Sequence, residues 1–216
     1  MRSKLLAIFI ALPVLFLCAV GFTGEGVHVR NIFDGDTISL ERGEHVRYAG
    51  IDTPEIDHES NKAEYMAYEA TNLNRELVSN RRVVLERAPE TRDRYGRVLG
   101  YIFLQDGRMV NDLLVSEGLA VVSTNPPNLK YRWRLLRSQR HAMASRKGIW
   151  RRLPKGETSS YVGNKRSYRF HTQDCPFGRR ISKRNRIPLS SLYDAFWGGY
   201  SPCKLCNPAA ILKEVQ

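Results

Sequence analysis

Asp34-Gly35-Asp36-Thr37, Arg47, Asp52-Thr53-Pro54-Glu55 and, further along, Arg97 within Tyr95-Gly96-Arg97 are the residue types that phosphodiester cleavage requires. Carboxylates offer oxygen to a hard divalent cation, a spare carboxylate activates water, and guanidinium groups hold the charged phosphate. Asp36 and Asp52 are the best cation ligands. Two carboxylates, a backbone carbonyl and waters suit Ca²⁺, which accepts many oxygens in loose geometry. Glu55 follows Asp52 across the stiff turn at Pro54, so it can face the same pocket without sitting on the metal, the place of a general base for water. Arg47 and Arg97 suit the equatorial oxygens of a five-coordinate transition state. Each segment alone has a plainer reading: Asp-Gly-Asp-Thr as a hairpin turn, Asp-Thr-Pro-Glu as a capped turn entering a helix. Their order and joint presence point to chemistry.

The elements that must position these residues are legible from periodicity. Val27 to Ala49 alternates as β-structure, with turn chemistry at Asp34-Gly35 and Arg42-Gly43. Met66, Ala70, Leu73 and Leu77 recur at helical spacing within a helix expected over 64–80. Strands are expected at 83–85, 98–104 and 119–122, short and basic helices at 111–117 and 129–147, and a polar loop carrying Asp93 and Arg97. Short strands with helices interleaved late give an α+β class: a small barrel of the OB type with helices against it.

With these segments in place, residues 27–150 resemble the thermonuclease, or staphylococcal-nuclease-like, family. The matching segments are Asp34-Gly35-Asp36-Thr37, Val46-Arg47, Ile51-Asp52-Thr53-Pro54-Glu55, Asp93-Arg94-Tyr95-Gly96-Arg97, Met109-Val110-Asn111, Gly118-Leu119-Ala120 and Ile149-Trp150. The resemblance implies a five-stranded OB-type barrel with about three helices and Ca²⁺-dependent cleavage of DNA and RNA to 3′-phosphate ends. It implies Ca²⁺ on the Asp36 and Asp52 carboxylates and the Thr53 carbonyl, water activation by Glu55, and phosphate binding by Arg47 and Arg97. Arg94 and Tyr95 would lie near a terminal phosphate, and Asp34 would support the site from behind. One departure stands out: Ser123-Thr124-Asn125-Pro126 replaces a pair of tyrosines that lie near the base in the best-studied members, so nucleotide affinity or base preference is expected to differ.

Composition supports a polyanionic partner. The chain of 216 residues has a formal net charge of +12 and 42% hydrophobic residues, a soluble globular composition. The excess is uneven: residues 1–150 hold 21 Lys and Arg against 18 Asp and Glu, whereas 151–216 hold 13 against 4. A second unit with its own task is therefore expected at 161–216, after a polar linker at 151–160. Within it, His171-x3-Cys175 and Cys203-x2-Cys206 provide four ligands for tetrahedral Zn²⁺. Asp174-Cys175-Pro176 and the segment from Ser201 to Pro208 resemble the metal-binding domain of the bacterial alkylation-repair regulator, with His171 where that domain has a cysteine. A Cys203–Cys206 disulfide is the competing reading. A fully ligated zinc leaves no open position, so the tail's expected task is nucleic-acid docking. The arginine series Arg132, Arg134, Arg137 and Arg140 reads as a phosphate-binding or a solvated helix face.

Arg2 and Lys4 precede an apolar run over 5–20, the pattern of an export signal or a retained anchor within residues 1–24. An exported protein is expected, touching a membrane only if that segment is retained. No protein partner can be inferred. Three readings remain: a metal-dependent nuclease with residues 25–150 as its catalytic domain, an OB-type nucleic-acid binder without chemistry, and a membrane-tethered protein whose tail senses metal or a partner. Arg47, Glu55 and Arg97 together favour the nuclease, since a binder needs no base.

Overall fold

A computed structural model describes residues 24–212 and 214, except 58, 61, 157 and 158. The expected export segment lies outside the described residues. The chain begins with strands β1 (Glu25–Ile32), β2 (Thr37–Leu40) and β3 (His45–Tyr48), followed by the short strands β4 (Gly50–Asp52), β5 (Ile56–Asp57) and β6 (Lys62–Ala63). Helix α1 (Ala67–Val78) leads into β7 (Arg82–Arg92) and β8 (Val98–Phe103), then α2 (Val110–Ser116), β9 (Val121–Ser123) and α3 (Arg132–Ala144). β1, β2, β3, β8 and β7 close in that order into a barrel, antiparallel except where β3 runs parallel to β8. This is the five-stranded OB-type barrel with helices that the pattern predicts. Ile38, Val46, Val83, Val98 and Ile102 point inward and are wholly buried, and Leu114 and Leu135 seal the barrel from α2 and α3.

Element bounds differ from the periodicity for local reasons. α1 starts at Ala67 because Met66 has a left-handed backbone (φ 67°) and Lys62–Ala63 pairs with β5. β7 runs well past the barrel to Arg92, and this overhang carries the loop of Asp93 and Arg97. α3 starts only at Arg132, beyond the Pro126-Pro127 loop, and ends before Arg146, whose φ is 51°.

After a 3-10 turn at Gly148–Arg152 the chain builds a second sheet. Its strands β10 (Tyr161–Asn164), β11 (Arg169–Thr172), β12 (Arg186–Leu189) and β13 (Ser201–Pro202) lie in the order β12-β10-β11-β13. Two short helices, α4 (Pro176–Arg179) and α5 (Leu192–Trp197), complete it. This sheet does not hang free. Val121, Met143, Ile149 and Trp150 share one apolar core with Phe170, Leu192 and Phe196. Polar contacts reinforce the seam. The wholly buried Gln139 donates to the Phe196 carbonyl (2.6 Å) and accepts from the Val122 N–H (2.6 Å), and Arg140 donates to the Trp197 carbonyl at 2.9 Å. Arg132 is buried, with its guanidinium 4.0 Å from the Tyr168 ring centroid. Arg134 pairs with Asp112 at 2.8 Å. Three of the four arginines expected to form a phosphate-binding or solvated face are thus engaged in the fold.

Candidate active site and metal centre

The turn between β1 and β2 places the first acidic residues. Asp34 Oδ1 accepts the Asp36 N–H at 2.9 Å, closing the turn locally, and Asn74 on α1 donates to the Asp34 carbonyl at 3.0 Å. Tyr48 in turn donates to Asn74 Oδ1 at 2.8 Å, tying β3 to α1 beneath the site. Gly35 is required by space: a Cβ there would stand 2.7 Å from Ala70 Cβ and 2.9 Å from Thr53 Cβ. The glycine therefore lets the acidic turn, α1 and the β4 exit meet.

Asp36 is wholly buried. Its Oδ2 accepts the Thr53 N–H at 2.8 Å and faces Arg47 Nη1 at 2.6 Å, while Thr37 Oγ1 donates to Oδ1 at 3.2 Å. Arg47 reaches Asp52 Oδ1 with its other terminal nitrogen at 2.8 Å and donates to the Ile51 carbonyl at 3.1 Å. One guanidinium thus joins the two carboxylates that the sequence pairs from a distance. Burial works against the charge on Arg47, yet Asp36, Asp52, Glu55 and Asp34 together hold its pKa above the ordinary arginine value. Asp34 bears the cost: burial first, then the charges of Asp36 and Glu55, raise its pKa to about 7. Oxygen donors crowded around one arginine, with a carboxyl unable to ionise normally, form a donor set short of positive charge. A hard divalent cation fits that set.

Arg97 is aimed by Asp93. Asp93 Oδ1 accepts the N–H groups of Tyr95 (2.9 Å) and Arg97 (3.0 Å), and Oδ2 accepts Arg97 Nε at 2.8 Å. The guanidinium of Arg94 lies 4.7 Å from the exposed Tyr95 ring and that of Arg97 lies 5.5 Å from it. Arg47, Asp52, Arg94, Tyr95 and Arg97 line one groove of about 440 Å³. Ser123 and Asn125, from the segment that departs from the family pattern, line it too. Glu55 is exposed and lies in an adjoining cleft that shares Asp52 with the groove; its N–H donates to Glu64 Oε2 at 2.8 Å. The structure therefore gathers the sequence-predicted residues, with Asp36 and Thr53 buried beneath and Glu55 to one side.

The second cluster is equally compact. The ligand atoms of His171, Cys175, Cys203 and Cys206 all lie within 4.8 Å of one another, and His171 Nδ1 is 3.3 Å from Cys175 Sγ. Tetrahedral zinc with sulfur ligands has edges of about 3.8 Å, so a metal ion could join these four with small adjustments. The three thiols are unbonded to each other. Burial and the Cys175 thiol push Cys206 up to about 11, while backbone N–H groups of Gly178 and Phe177 help draw Cys175 down against the effect of its burial.

Three contributors were not singled out from the sequence as site residues. Asp93 was legible only as part of a motif, though its spacing of four from Arg97 allows their ion pair. Arg169, on β11, and Lys204, just after β13, also line this groove. No sequence signal could place them there, because their approach depends on how the two sheets pack.

Comparison with known proteins agrees with this geometry. Residues 45–152 match the model of the staphylococcal nuclease homologue family, half of the chain. The thermonuclease of Staphylococcus intermedius is 38% identical over 132 residues, covering 60% of this chain and 78% of that protein. The thermonuclease of Staphylococcus hyicus is 32% identical over 156 residues, covering 67% and 92%. Endonuclease YncB of Bacillus subtilis is 34% identical over 137 residues, covering 61% and 62%. Of the readings the sequence leaves open, these relatives support the enzyme.

Proposed function

Because the chain belongs to the staphylococcal nuclease family and is a nucleic-acid-cleaving hydrolase, we propose that it is a Ca²⁺-dependent nuclease leaving 3′-phosphate ends, with a zinc-held C-terminal unit. The observation that carries this reading is the Arg47 bridge between Asp36 and Asp52 at 2.6 and 2.8 Å, in a groove that also holds Arg97. Asp36, Asp52 and the Thr53 carbonyl would hold the cation, which supplies charge to polarise the phosphate and lower the pKa of water. Arg47 and Arg97 bind the non-bridging oxygens and stabilise charge as it accumulates in the five-coordinate state. Glu55 takes the proton of the attacking water. The water oxygen bonds to phosphorus, the bond from phosphorus to the 5′ oxygen breaks, that oxygen takes a proton from solvent, and products with a 3′-phosphate and a 5′-hydroxyl separate. Asp34 supports the turn, and Arg94 and Tyr95 hold a terminal phosphate.

His171, Cys175, Cys203 and Cys206 would hold zinc in a structural role, since all four tetrahedral positions are filled by the chain. The apolar run behind Arg2 and Lys4 supports an exported enzyme. The test is digestion of single-stranded DNA, duplex DNA and RNA with Ca²⁺ or chelator, followed by end analysis. Chelator-sensitive cleavage to 3′-phosphate ends is expected; metal-independent cleavage or 5′-phosphate ends would overturn the assignment. Glu55→Gln is expected to lower kcat about 10²- to 10⁴-fold while DNA binding persists, and unchanged turnover would remove Glu55 as the base.

A further inference from the structure

The nuclease groove continues beyond the barrel. Arg169, on β11, and Lys204, just after β13, line it together with Arg47 and Arg97. The same two cations also line a second hollow of about 360 Å³ that extends over the C-terminal sheet to Phe177, a residue 52% exposed. The two hollows share a wall made of Arg169 and Lys204.

Arg169 is half-buried, yet among the described residues it has no ion-pair partner. Its Nη1 donates to the Pro202 carbonyl at 3.3 Å, leaving the rest of the guanidinium fork for a ligand. Burial lowers its pKa, and it feels both the opposing charge of Asp52 and the like charge of Arg47. Gathering a further half-buried cation beside Arg47, Arg94 and Arg97 is unfavourable until an anion enters. Of the acids that line the groove, Asp93 is paired with Arg97 and Asp52 with Arg47; Glu90 lines it as well.

The placement of both cations is fixed by the backbone. Arg169 pairs across to Ser201, and the Cys203 N–H donates to the Phe170 carbonyl at 2.9 Å. Arg169 therefore stands two residues before His171, and Lys204 directly follows Cys203. The His/Cys cluster clamps the two segments that carry the groove cations.

We propose that Arg169 and Lys204 bind a backbone phosphate of the substrate strand, so that the C-terminal unit completes the nuclease groove and leads the strand toward Phe177, where a base can stack. This rests on the nuclease reading above. The test uses the full chain, a single-stranded oligodeoxynucleotide and Ca²⁺, with KM, kcat and the salt dependence of KM measured for each variant. Arg169→Ala is expected to raise KM about tenfold with little change in kcat. It should also flatten the salt dependence by about one charge. Arg169→Lys should recover part of both, and Phe177→Ala should raise KM several-fold. Lys204 is exposed, so Lys204→Ala carries the test if Arg169→Ala fails to fold. Arg184, exposed in the same basic unit and outside the groove, should tolerate Arg184→Ala without change. If wild type does not cleave, the nuclease reading fails. If it cleaves while folded Arg169→Ala and Lys204→Ala keep the wild-type KM and salt slope, or if Arg184→Ala weakens binding equally, the proposal is overturned and the nuclease reading stands.

Discussion

Trp150 and Phe196 meet edge to face, with ring centroids 5.0 Å apart and planes at 72°. Trp150 ends the nuclease half and is wholly buried; Phe196 lies on α5 of the tail and also meets Phe170 at 5.4 Å. A unit as small as the tail rarely folds on its own apolar core. Here it adds Ile149, Trp150 and Met143 of the nuclease half to that core. The attachment explains how a distant basic segment can hold Arg169 and Lys204 in the groove of Arg47 and Arg97.

That shared core makes unfolding of the two halves interdependent. Phe196→Ala removes a ring in contact with both, and is expected to cost about 3–5 kcal/mol. Urea unfolding followed by tryptophan fluorescence and by circular dichroism should show one earlier transition by both probes. A loss under about 1 kcal/mol, or a tail that melts while the barrel is unaffected, would show that the halves are independent.

Asp93 is the orienting partner of Arg97, with its carboxylate taken up by Arg97 Nε and two loop N–H groups. Burial alone would raise its pKa, but these bonds, that of Arg97 foremost, hold it below the ordinary carboxylate value. The sign follows from linkage: this stabilisation is present above the unfolded pKa and is lost as pH falls through the depressed folded one. Carboxyl NMR should place the Asp93 titration below the ordinary range and show it moving back in Arg97→Ala. Asp93→Asn, which leaves Arg97 free to wander, should lower kcat about ten- to hundredfold. An ordinary Asp93 titration in wild type would sink this role.

Asp34 has the opposite sign. In the unfolded chain it ionises near 3.8, whereas burial and neighbouring carboxylates delay this to about 7 in the folded protein. Folding therefore favours the protonated form, and this contribution to stability is lost as pH rises from the lower value through the higher. In chelator at pH 8, Asp34→Asn should stabilise the protein, by about 1–3 kcal/mol. At pH 4 the variant should gain little. Equal effects at both pH values would mean that charge crowding is not the cause.

The barrel and the segments that form most of the candidate site are legible because short-range signals fix them. Alternation in β1 to β3, the turn chemistry of Asp34-Gly35 and the helical recurrence of Ala70 and Leu73 are local, and the order of the acidic and arginine segments is a linear pattern. The bounds of α1 and β7 are not, since Met66 takes a left-handed backbone and β7 overhangs its partner, features set by tertiary contacts. The placement of α3 is not legible for the same reason. In sequence its arginines read as a phosphate-binding or a solvated face, but Arg132 and Arg140 reach the carbonyls of Gly198 and Trp197 in the tail. Arg169 belongs to this class: nothing within the tail's sequence tells that β11 lies against the nuclease groove.

The His/Cys cluster gives the last prediction. Burial and the neighbouring Cys175 thiol raise the pKa of Cys206 to about 11. Zinc must therefore displace protons, and its affinity should rise with pH. Protein purified under reducing conditions should hold one zinc per chain, released on acidification and by strong chelators. Its removal should lower the melting temperature of the whole protein, because Phe170 and Cys203 are joined by a backbone hydrogen bond and Phe170 lies in the shared core. Cys206→Ser should weaken zinc binding by at least about tenfold while the barrel strands still form. A disulfide between Cys203 and Cys206 predicts the reverse dependence on reductant: stability lost when reducing agent is added, and no response to chelator. Metal analysis and thermal melts with each reagent in turn separate the two, and a protein free of zinc that melts earlier only under reduction would rule out the metal site.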